Sequence, residues 1–203
     1  MLQVVYGTAR AARATLLEEM HRDRKTVFVD RLGWQVPVVD GDLEIDQFDG
    51  EDAVYLIAVD EAGRHAGSLR LLPTAGPHLL ADVFPQLCER AVPRGPDIWE
   101  ITRLFTAPGQ ADPKRVRREL SLGMVEFAVM NGIRRYTCVT HVPYLSSVLA
   151  VGWDCEPLGL PQPHGGVMLG AVAIDINGET LAMLRQRRGV SGTVLDMVTR
   201  DAA

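Results

Sequence analysis

Residues 53–72, AVYLIAVDEAGRHAGSLRLL, carry the pattern that decides the fold. The first part, 53–59, is a nearly continuous apolar run, as in a strand that is buried on both faces. Residues 61–64 predict a hairpin turn, and 65–72 is predicted to be the returning strand, with Arg70 near its end. We therefore expect a β-sheet at the centre of the fold.

Helices and further strands are predicted on both sides of this hairpin. Asp112-Pro113 is a strong helix start, because Asp suits the N-cap and Pro the first helical position. The apolar residues that follow at helical spacing are Val116, Leu120, Met124 and Phe127, and Gly132 is the expected terminator. Further strands are predicted at 98–105, 136–142 and 166–176, further helices from Thr8, Pro143 and Glu179, and an irregular loop at 33–52.

The element order predicts an α/β fold. Strands, a long helix, a strand, a helix and a strand follow one another, which favours a three-layer α-β-α sandwich with a mixed central sheet. We find no internal repeat or linker and expect one domain, 1–203. In the first helix, Thr8 is a candidate N-cap, and Leu16, Met20, Arg24 and Val27 are expected to share one face.

Composition excludes several classes of protein. The 203 residues are 47% apolar and 23% charged, which argues against a disordered chain. The net charge of −5 argues against a generally basic nucleic-acid binder, and no apolar run reaches the length of a membrane span. The three widely spaced cysteines favour a reducing cytoplasm, and the histidines show no metal-ligand spacing. We expect a cytoplasmic protein with no metal, nucleic-acid or membrane partner.

Charge is unevenly spread along the chain. Residues 40–61 hold nine acidic residues and no Lys or Arg. Within this segment the acids at 44, 46 and 49 are candidates to meet the arginines at 24, 70 and 103. Arginine–carboxylate pairs are bidentate and directional, so they can fix the wall of a pocket, although they cost desolvation. Ordinary solvated surface acids are the alternative.

Taken together, these residues resemble a known family. Arg24, Phe28, Trp34, the E-x-D-x-x-D run at 44–49, Arg70 and the E-x-T-R run at 100–103 are similar to the invariant set of LuxI-type acyl-homoserine lactone synthases. The likeness covers roughly residues 20–105 and continues in Gly152-Trp153. It implies a sheet similar to that of the GNAT acyltransferases and the synthesis of a quorum-sensing signal from S-adenosylmethionine and an acyl thioester.

The resemblance also implies roles for residues. The catalytic set would be Glu100, Arg24, Asp46, Asp49, Arg70, Arg103 and Glu44. The S-adenosylmethionine contacts would be Phe28, Trp34, Arg103 and Phe105, the aromatic residues acting by stacking and cation–π contact. Glu100 is the candidate general base, because the substrate amine must lose a proton before it attacks. S-adenosylmethionine is a substrate, and no cofactor is expected.

An acyl pocket is expected between the strands at 98–105 and 136–142, roofed by the long helix. By resemblance, its positions are Ile101, Ser121, Met124, Cys138, Thr140, His141, Tyr144, Ser147 and Val172. Some relatives carry a threonine, associated with 3-oxo chains, where this chain has Cys138. The substituent at carbon 3, the chain length and its branching therefore stay open.

The acyl donor is less visible in the sequence. The segment 106–114 has only Gly109, so it lacks the glycine-rich turn of many coenzyme A acyltransferases. An acidic acyl carrier protein could instead dock on a basic set, or acyl-CoA could be the donor. The basic residues are Lys114, Arg115, Arg117, Arg118, Arg134 and Arg135, and a solvated helix face is the alternative interpretation.

Two rival functions remain. A general N-acyltransferase would use acetyl-CoA on another amine and would release no methylthioadenosine. A non-catalytic sensor of S-adenosylmethionine or acyl-lactone would bind ligand without forming product. The complete set of arginines and acids argues against the sensor, because unpaired buried charges would be costly once the chemistry was lost.

Overall fold

The computed structural model describes residues 1–196, which form two compact units. The first unit combines Met1–Leu71, Arg103–Glu126 and the described residues from Gly192 onwards. The second combines Leu72–Thr102 and Phe127–Ser191. Both units are therefore assembled from segments that are distant in sequence.

The first unit is built on the predicted hairpin. Its strands are β1 (Leu2–Tyr6), β2 (Val38–Val39), β3 (Leu43–Glu44), β4 (Val54–Val59), β5 (His65–Pro73, up to Leu71) and β11 (Leu195–Asp196). The main sheet has the order β11-β1-β4-β5, with β1 parallel to β11 and antiparallel to β4. Residues 54–58 are all buried, which confirms a strand covered on both faces.

The first helix of this unit differs from its prediction. A 3-10 segment, Gly7–Arg13, precedes α1 (Ala14–Arg24), so Thr8 is not the N-cap. A wider π-type turn, Lys25–Arg31, follows α1. Its extra residue per turn rotates the buried face, so that Phe28 rather than Val27 is buried after Arg24.

The second unit holds the other strands: β6 (Ile98–Thr106, up to Thr102), β7 (Arg135–His141), β8 (Asp154–Pro157), β9 (Gln162–His164) and β10 (Val167–Asp175). Their order is β6-β7-β10-β8, with β9 also paired to β10. The β6–β7 pair is parallel and the β10 pairs are antiparallel. The helices are α2 (Leu79–Asp82), α4 (Val142–Leu149) and α5 (Gly178–Arg188).

The long helix α3 (Pro113–Met130) runs from the first unit into the second. Asp112 is its N-cap as predicted, because its carboxylate accepts a hydrogen bond from the backbone N–H of Arg115 at 2.9 Å. The four apolar residues predicted for its inner face are all buried. Gly132 follows the helix with φ +68°, as a terminating glycine does.

The fold class is confirmed as α/β with a mixed central sheet and helices. Strands β2, β3, β8, β9 and β11 were not predicted, because each is only two to four residues long. The expected helical tail begins as α5 and ends at Arg188, and its continuation beyond Asp196 lies outside the described residues. The single domain of 1–203 stays a prediction. Among residues 1–196, no helix is long and apolar enough to cross a membrane.

Gly7 makes the closest backbone approach in the first unit. A Cβ built on Gly7 would lie 2.1 Å from the carbonyl oxygen of Gly50 and 2.7 Å from that of Glu51. The backbone N–H of Gly7 also donates to the carbonyl of Ala53 at 2.7 Å. The start of the 3-10 segment therefore packs directly on the chain that leads into β4.

We expect Gly7→Ala to destabilise the protein by about 1–3 kcal/mol, because backbone atoms must move to admit the methyl group. Gly178→Ala is the matched control: no atom lies within 4 Å of its Cβ position, so the change should be neutral or stabilise by up to about 1 kcal/mol. Urea unfolding of both variants measures the difference. Equal stabilities would contradict the close contact.

Candidate active site

Six charged side chains of the first unit form a closed ring in which positive and negative groups alternate. We call it the charge ring; its members in order are Arg24, Glu44, Arg103, Asp46, Arg70 and Asp49. Each member contacts two partners of opposite charge. The ring contains three arginines and three carboxylates, so its formal charge is zero.

The arginines come from three regular elements and the acids from one loop. Arg24 is the last residue of α1, Arg70 lies in β5 and Arg103 lies in β6. Glu44 is the last residue of β3, and Asp46 and Asp49 lie in the loop that follows it. The helix and the two strands thus hold the cations, and the cations hold a loop that has little regular structure of its own.

All three arginines bind a carboxylate in the bidentate manner, Arg103 through Nε to Glu44 Oε2 at 3.2 Å and Nη2 to Glu44 Oε1 at 2.8 Å. Arg24 donates from Nη1 to Asp49 Oδ1 at 2.8 Å and from Nη2 to Oδ2 at 3.1 Å. Arg70 donates to both oxygens of Asp46 at 2.6 and 3.0 Å, and its Nη1 lies 2.8 Å from Asp49 Oδ1. Such paired bonds fix the plane of the carboxylate as well as its position.

Arg103 bridges Glu44 and Asp46, and its backbone conformation is unusual for a residue other than glycine. Its Nη2 lies 2.8 Å from both Glu44 Oε1 and Asp46 Oδ2. Its φ is +51°, in the left-handed region, which costs a non-glycine residue roughly 1–2 kcal/mol. The regular alternation of strand faces therefore breaks at Arg103, and the ion pairs stabilise the break.

The acid loop is also held by its own backbone and by neighbouring side chains. The backbone N–H of Asp46 donates to Asp49 at 2.9 Å, and that of Phe48 donates to Asp46 at 2.9 Å. Tyr55 donates its hydroxyl proton to Asp49 at 2.9 Å. Arg10 donates to the Asp49 carbonyl at 2.8 Å. The bonds from the two backbone N–H groups and from Tyr55 satisfy carboxylate lone pairs that the arginines leave, and the bond from Arg10 satisfies a backbone carbonyl.

Burial and ion pairing act in opposite directions on the acids. Burial alone would raise the pKa of Asp49, but the guanidinium groups of Arg24 and Arg70 outweigh it and hold that pKa well below its ordinary value. Burial likewise opposes ionisation of Glu44, yet Arg103 and Arg24 keep the pKa of Glu44 low. Both groups are therefore carboxylates at neutral pH.

An aromatic stack lies beside the ring. The rings of Phe28 and Trp34 are stacked with centroids 4.6 Å apart, and Phe105 meets Phe28 edge-on at 5.4 Å. The guanidinium carbon of Arg103 lies 5.6 Å from the Phe28 centroid and 5.8 Å from that of Trp34. Phe28 and Phe105 are buried, whereas Trp34 is partly exposed. The three predicted aromatic residues are thus in one cluster.

Glu100 belongs to the second unit and has different partners. Its two carboxylate oxygens accept hydrogen bonds from the backbone N–H groups of Leu79 and Leu80, each at 2.7 Å. The side chain is fully buried. These donors stabilise the ionised carboxylate and tie β6 to the start of α2. That Glu100 is the general base stays a prediction.

Part of the predicted acyl pocket forms a strip across three strands. Ile101, Cys138 and Val172 are neighbours in register on β6, β7 and β10, so their side chains share one face of the sheet. All three are buried. Burial raises the pKa of the Cys138 thiol to about 12, with smaller contributions from Cys155 and Glu100, so this thiol is neutral at pH 7.

The other predicted pocket positions differ in how buried they are and in the unit to which they belong. Thr140 has the parity of Cys138 on β7, and His141 ends that strand. Tyr144 and Ser147 are exposed on α4. Ser121 and Met124 belong to the first unit, where Met124 is buried and the Ser121 hydroxyl donates to the Arg117 carbonyl at 2.8 Å. Their part in a pocket stays a prediction.

The predicted basic docking residues are partly neutralised. Arg115 pairs with Glu119 at 2.9 Å. Arg134 pairs with Asp97, and Arg135 pairs with Asp175 at 2.7 Å and with Glu156 at 3.2 Å. Lys114, Arg117 and Arg118 are exposed on α3.

Three supporting residues were missed by the sequence analysis: Arg10, Tyr55 and His21. The Nδ1 of His21 lies 2.9 Å from the Glu44 carbonyl oxygen, and burial lowers the pKa of His21, so that the ring is neutral and Nδ1 donates. None carried a signal in one sequence. Arg10 lay in a segment of mixed residues, Tyr55 in an apolar strand and His21 on an ordinary helix.

Comparisons with known proteins agree on one family. A family model described as autoinducer synthase matches residues 9–184. An acyl-homoserine-lactone synthase of Ralstonia solanacearum is 38% identical over 79% of this chain and 82% of its own length. An isovaleryl-homoserine lactone synthase of Bradyrhizobium diazoefficiens is 31% identical over 98% of this chain and 94% of its own length.

Solved structures show the same relation. BjaI, a CoA-dependent acyl-homoserine lactone synthase solved with SAM and isopentyl-CoA, superposes with TM-score 0.89 at 30% identity, covering 97% of this chain and 92% of BjaI. A second BjaI structure contains MTA. Escherichia coli ElaA, at 13% identity and TM-score 0.56 over 85% of this chain and 97% of its own, shares the fold alone.

We expect Asp49→Asn to destabilise the protein by about 3–5 kcal/mol, because it leaves two buried arginines short of a charge partner. Asp42→Asn is the matched control. Asp42 pairs with Arg22 at 2.7 Å on the surface, where both side chains are about half exposed, so its loss should cost at most about 1 kcal/mol. Chemical unfolding at pH 7 measures both, and comparable losses would refute the energetic role of the ring.

Acid sensitivity gives a second readout of the same variants. Asp49 and Glu44 have folded-state pKa values below their ordinary values of 3.8 and 4.5, so their contribution is complete above these values and is lost as the pH falls below them. Wild-type stability should therefore decline below about pH 4.5. The decline should be shallower in Asp49→Asn and unchanged in Asp42→Asn.

Proposed function

Because the chain belongs to the autoinducer synthase family, we propose that it makes an N-acyl-homoserine lactone from S-adenosylmethionine and an acyl thioester. The observation that carries the proposal is the complete charge ring beside the Phe28–Trp34 stack, in a chain whose family match spans residues of both units. The protein is then an acyltransferase that works in quorum sensing. S-adenosylmethionine is its substrate, and the reaction needs no further cofactor.

The reaction has two bond-forming steps. The deprotonated amine of the methionyl group attacks the thioester carbonyl, an amide C–N bond forms, and the C–S bond of the thioester breaks to release a thiol. The methionyl carboxylate then attacks the carbon bonded to the sulfonium sulfur. That C–S bond breaks, its electron pair stays on sulfur, and the products are the lactone and methylthioadenosine.

The charge ring suits a substrate with opposite charges. Arg103 is the arginine nearest the aromatic stack, and among the described residues its Nη1 makes no hydrogen bond, so this nitrogen is placed to bind the methionyl carboxylate. The faces of Phe28, Trp34 and Phe105 suit the adenine and the sulfonium cation. Arg24 and Arg70 are fully buried and serve to hold Asp46, Asp49 and Glu44 in place.

Glu100 and the strip across β6, β7 and β10 serve the acyl transfer. Glu100, which is fully buried, accepts the proton that the attacking nitrogen loses as the amide bond forms, directly or through water. The acyl chain lies along Ile101, Cys138 and Val172. The remaining lining positions are Ser121, Met124, Thr140, His141, Tyr144 and Ser147.

We assign acyl-CoA as the donor. BjaI, described as CoA-dependent, superposes on 97% of this chain, and Arg115, Arg134 and Arg135 of the basic set proposed to dock a carrier protein are already ion-paired. Residues 1–203 act as one synthase domain. The cytoplasm is the proposed location, which fits three cysteines that form no disulfide.

We expect purified protein supplied with S-adenosylmethionine and a series of acyl-CoA thioesters to form an acyl-homoserine lactone and an equal amount of methylthioadenosine. Arg103→Gln should lower turnover by roughly a hundredfold, since one positioned donor to a reacting group has about this effect. Asp42→Asn should retain full turnover. Mass spectrometry measures the products.

The rival functions predict other results in the same assay. Acetyl transfer to an amine without methylthioadenosine would indicate a general N-acyltransferase. Binding of S-adenosylmethionine with no product from any thioester would indicate a sensor. Either result would refute the proposal.

The donor assignment predicts that kcat/KM is at least about tenfold higher with acyl-CoA than with the same acyl chain on a carrier protein, because ion pairs of Arg115, Arg134 and Arg135 weaken the attraction of the basic set for an acidic partner. Arg117→Glu should then leave CoA-supported activity unchanged, like its control Arg64→Glu. Carrier-supported activity that exceeds CoA-supported activity, and that falls in Arg117→Glu but not in Arg64→Glu, would overturn the assignment.

A further inference from the structure

Three residues of the first unit, Asp23, His65 and Ser68, form a hydrogen-bonded group outside the charge ring, and we call it the histidine relay. The Nδ1 atom of His65 lies 2.7 Å from Asp23 Oδ2, and its Nε2 atom lies 3.2 Å from Ser68 Oγ. A carboxylate only accepts hydrogen bonds, so Nδ1 carries a proton. A hydroxyl can donate or accept, so the bond at Nε2 forms whether the imidazole is neutral or charged.

The same three residue types form the catalytic triad of serine hydrolases, but here the serine is inaccessible. Ser68 lies in β5, is paired with Ile57 of β4 and is 1% exposed. Residues 65–71 around it are all buried. A nucleophile must reach its substrate, and this hydroxyl does not. The relay therefore holds the imidazole ring in place rather than activating Ser68.

The imidazole ring that the relay holds packs against the aromatic stack. The ring centroids of His65 and Phe105 are 5.2 Å apart, and their planes are inclined by 40°. Phe105 meets Phe28 edge-on, and Phe28 stacks on Trp34. A continuous series of ring contacts thus leads from His65 to Trp34. The stack is contacted at one end by the relay and, at Phe28, by Arg103 of the charge ring.

Helix α1 holds His65 at two points. Asp23 binds its imidazole, and Glu19, one turn earlier on the helix, accepts a hydrogen bond from the backbone N–H of His65 at 3.0 Å. The same helix supplies Arg24 to the charge ring. One helix therefore fixes the positions of both groups that contact the aromatic stack.

A buried position beside Phe105 could be filled by an apolar side chain without any loss of hydration. An imidazole loses its hydration on burial, and hydrogen bonds at both nitrogens are needed to offset the cost. What the polar group adds is direction. Packing alone leaves an apolar side chain free to adjust, whereas bonds at two ring nitrogens define the plane of the imidazole. The surface on which Phe105 rests therefore has one orientation.

Building on the proposed lactone synthesis, we propose that the histidine relay is a positioning element of the S-adenosylmethionine subsite, which fixes the rings of Phe105 and Phe28 before the substrate binds. A subsite that is already ordered binds its ligand more tightly, because less conformational freedom is lost on binding. His65 is separated from Trp34 by two other rings. It therefore acts on the binding of the adenosine part and not on either bond-forming step.

Methylthioadenosine is the probe of choice, because it contains the adenosine part but neither the amine nor the carboxylate of S-adenosylmethionine. His65→Phe keeps an aromatic ring beside Phe105 but cannot bond to Asp23 or Ser68. We expect its Kd for methylthioadenosine and for S-adenosylmethionine to rise by about 5- to 30-fold, as measured by isothermal titration calorimetry.

Asp23→Ala should weaken binding of both ligands in the same direction, and it keeps the test open if His65→Phe folds poorly, because the Asp23 side chain is partly exposed. Glu18→Ala is the matched control. It removes a carboxylate from the same helix, where Glu18 pairs with Arg22 at 2.8 Å on the surface. Glu18→Ala should bind both ligands like the wild type.

Steady-state kinetics separate positioning from a general loss of structure. In His65→Phe and Asp23→Ala, the KM for S-adenosylmethionine should rise by the same factor as its Kd. The KM for acyl-CoA and kcat should change by less than about twofold, because the lost interaction contributes equally to the ground state and the transition state. A fall in kcat with unchanged KM for S-adenosylmethionine would overturn the proposal.

The binding data also separate this proposal from the proposed function. A wild-type protein that binds methylthioadenosine, with equal affinity in His65→Phe and Asp23→Ala, would overturn the role of the relay alone. Weaker binding of S-adenosylmethionine with unchanged binding of methylthioadenosine would overturn it as well, since the effect would not pass through the aromatic rings. A wild-type protein that binds neither ligand would refute the proposed function.

A spectroscopic readout does not depend on any ligand. In ¹⁵N spectra of histidine-labelled protein, the imidazole signals missing from His65→Phe identify His65. We expect its Nδ1 to carry a proton in the wild type and in Glu18→Ala. An Nδ1 without a proton would contradict the hydrogen bond to Asp23 and overturn the proposal.

Discussion

The charge ring is the interaction on which the first unit depends. Three guanidinium groups and three carboxylates lie together with almost no exposed side-chain surface. An isolated charge in such a place would cost several kcal/mol, and only mutual pairing makes the burial tolerable. The ring holds the 44–49 loop, which lacks both a regular helix and a long strand, against α1, β5 and β6. It therefore does for this loop what apolar packing does for the rest of the unit.

The neutrality of the charge ring affects where the net negative charge of the protein lies. Three acids of the stretch 40–61 form ion pairs with buried arginines. The negative charge that this stretch presents to solvent is therefore smaller than its composition suggests. The remaining acids of the stretch that pair do so on the surface, as Asp42 does with Arg22 and Asp60 with Arg64. Acidic loops of one sequence can thus combine a buried structural role with ordinary solvation.

Much of the fold and of the ring could be predicted from the sequence, for physical reasons that act locally. The apolar run at 53–59 forces a buried strand, and Asp112-Pro113 caps a helix through neighbouring atoms. The members of the ring were recognised as a set because six charged residues at these spacings resemble one family. Even so, which acid meets which arginine, and that the ring closes, depends on long-range geometry.

The features that the sequence analysis did not predict also have particular physical causes. The π-type turn after Arg24 rotates the buried face of the helix, so that Phe28 is buried instead of the predicted Val27. No residue type in this segment predicts the extra residue per turn. The left-handed backbone of Arg103 is imposed by tertiary ion pairs rather than by the local sequence. The family resemblance placed Glu100 in the catalytic set, but it does not show that Glu100 accepts hydrogen bonds from the backbone N–H groups of Leu79 and Leu80.

The closure of the ring has a consequence for how such a protein can change over generations. A row of alternating charges has two ends, and each end needs water or another partner; a ring has none, so it can be sealed from solvent as a whole. Replacing any one member leaves two neighbours in deficit rather than one. A single substitution at any of these six positions is therefore costly, and a neutral change of the ring requires at least two substitutions together.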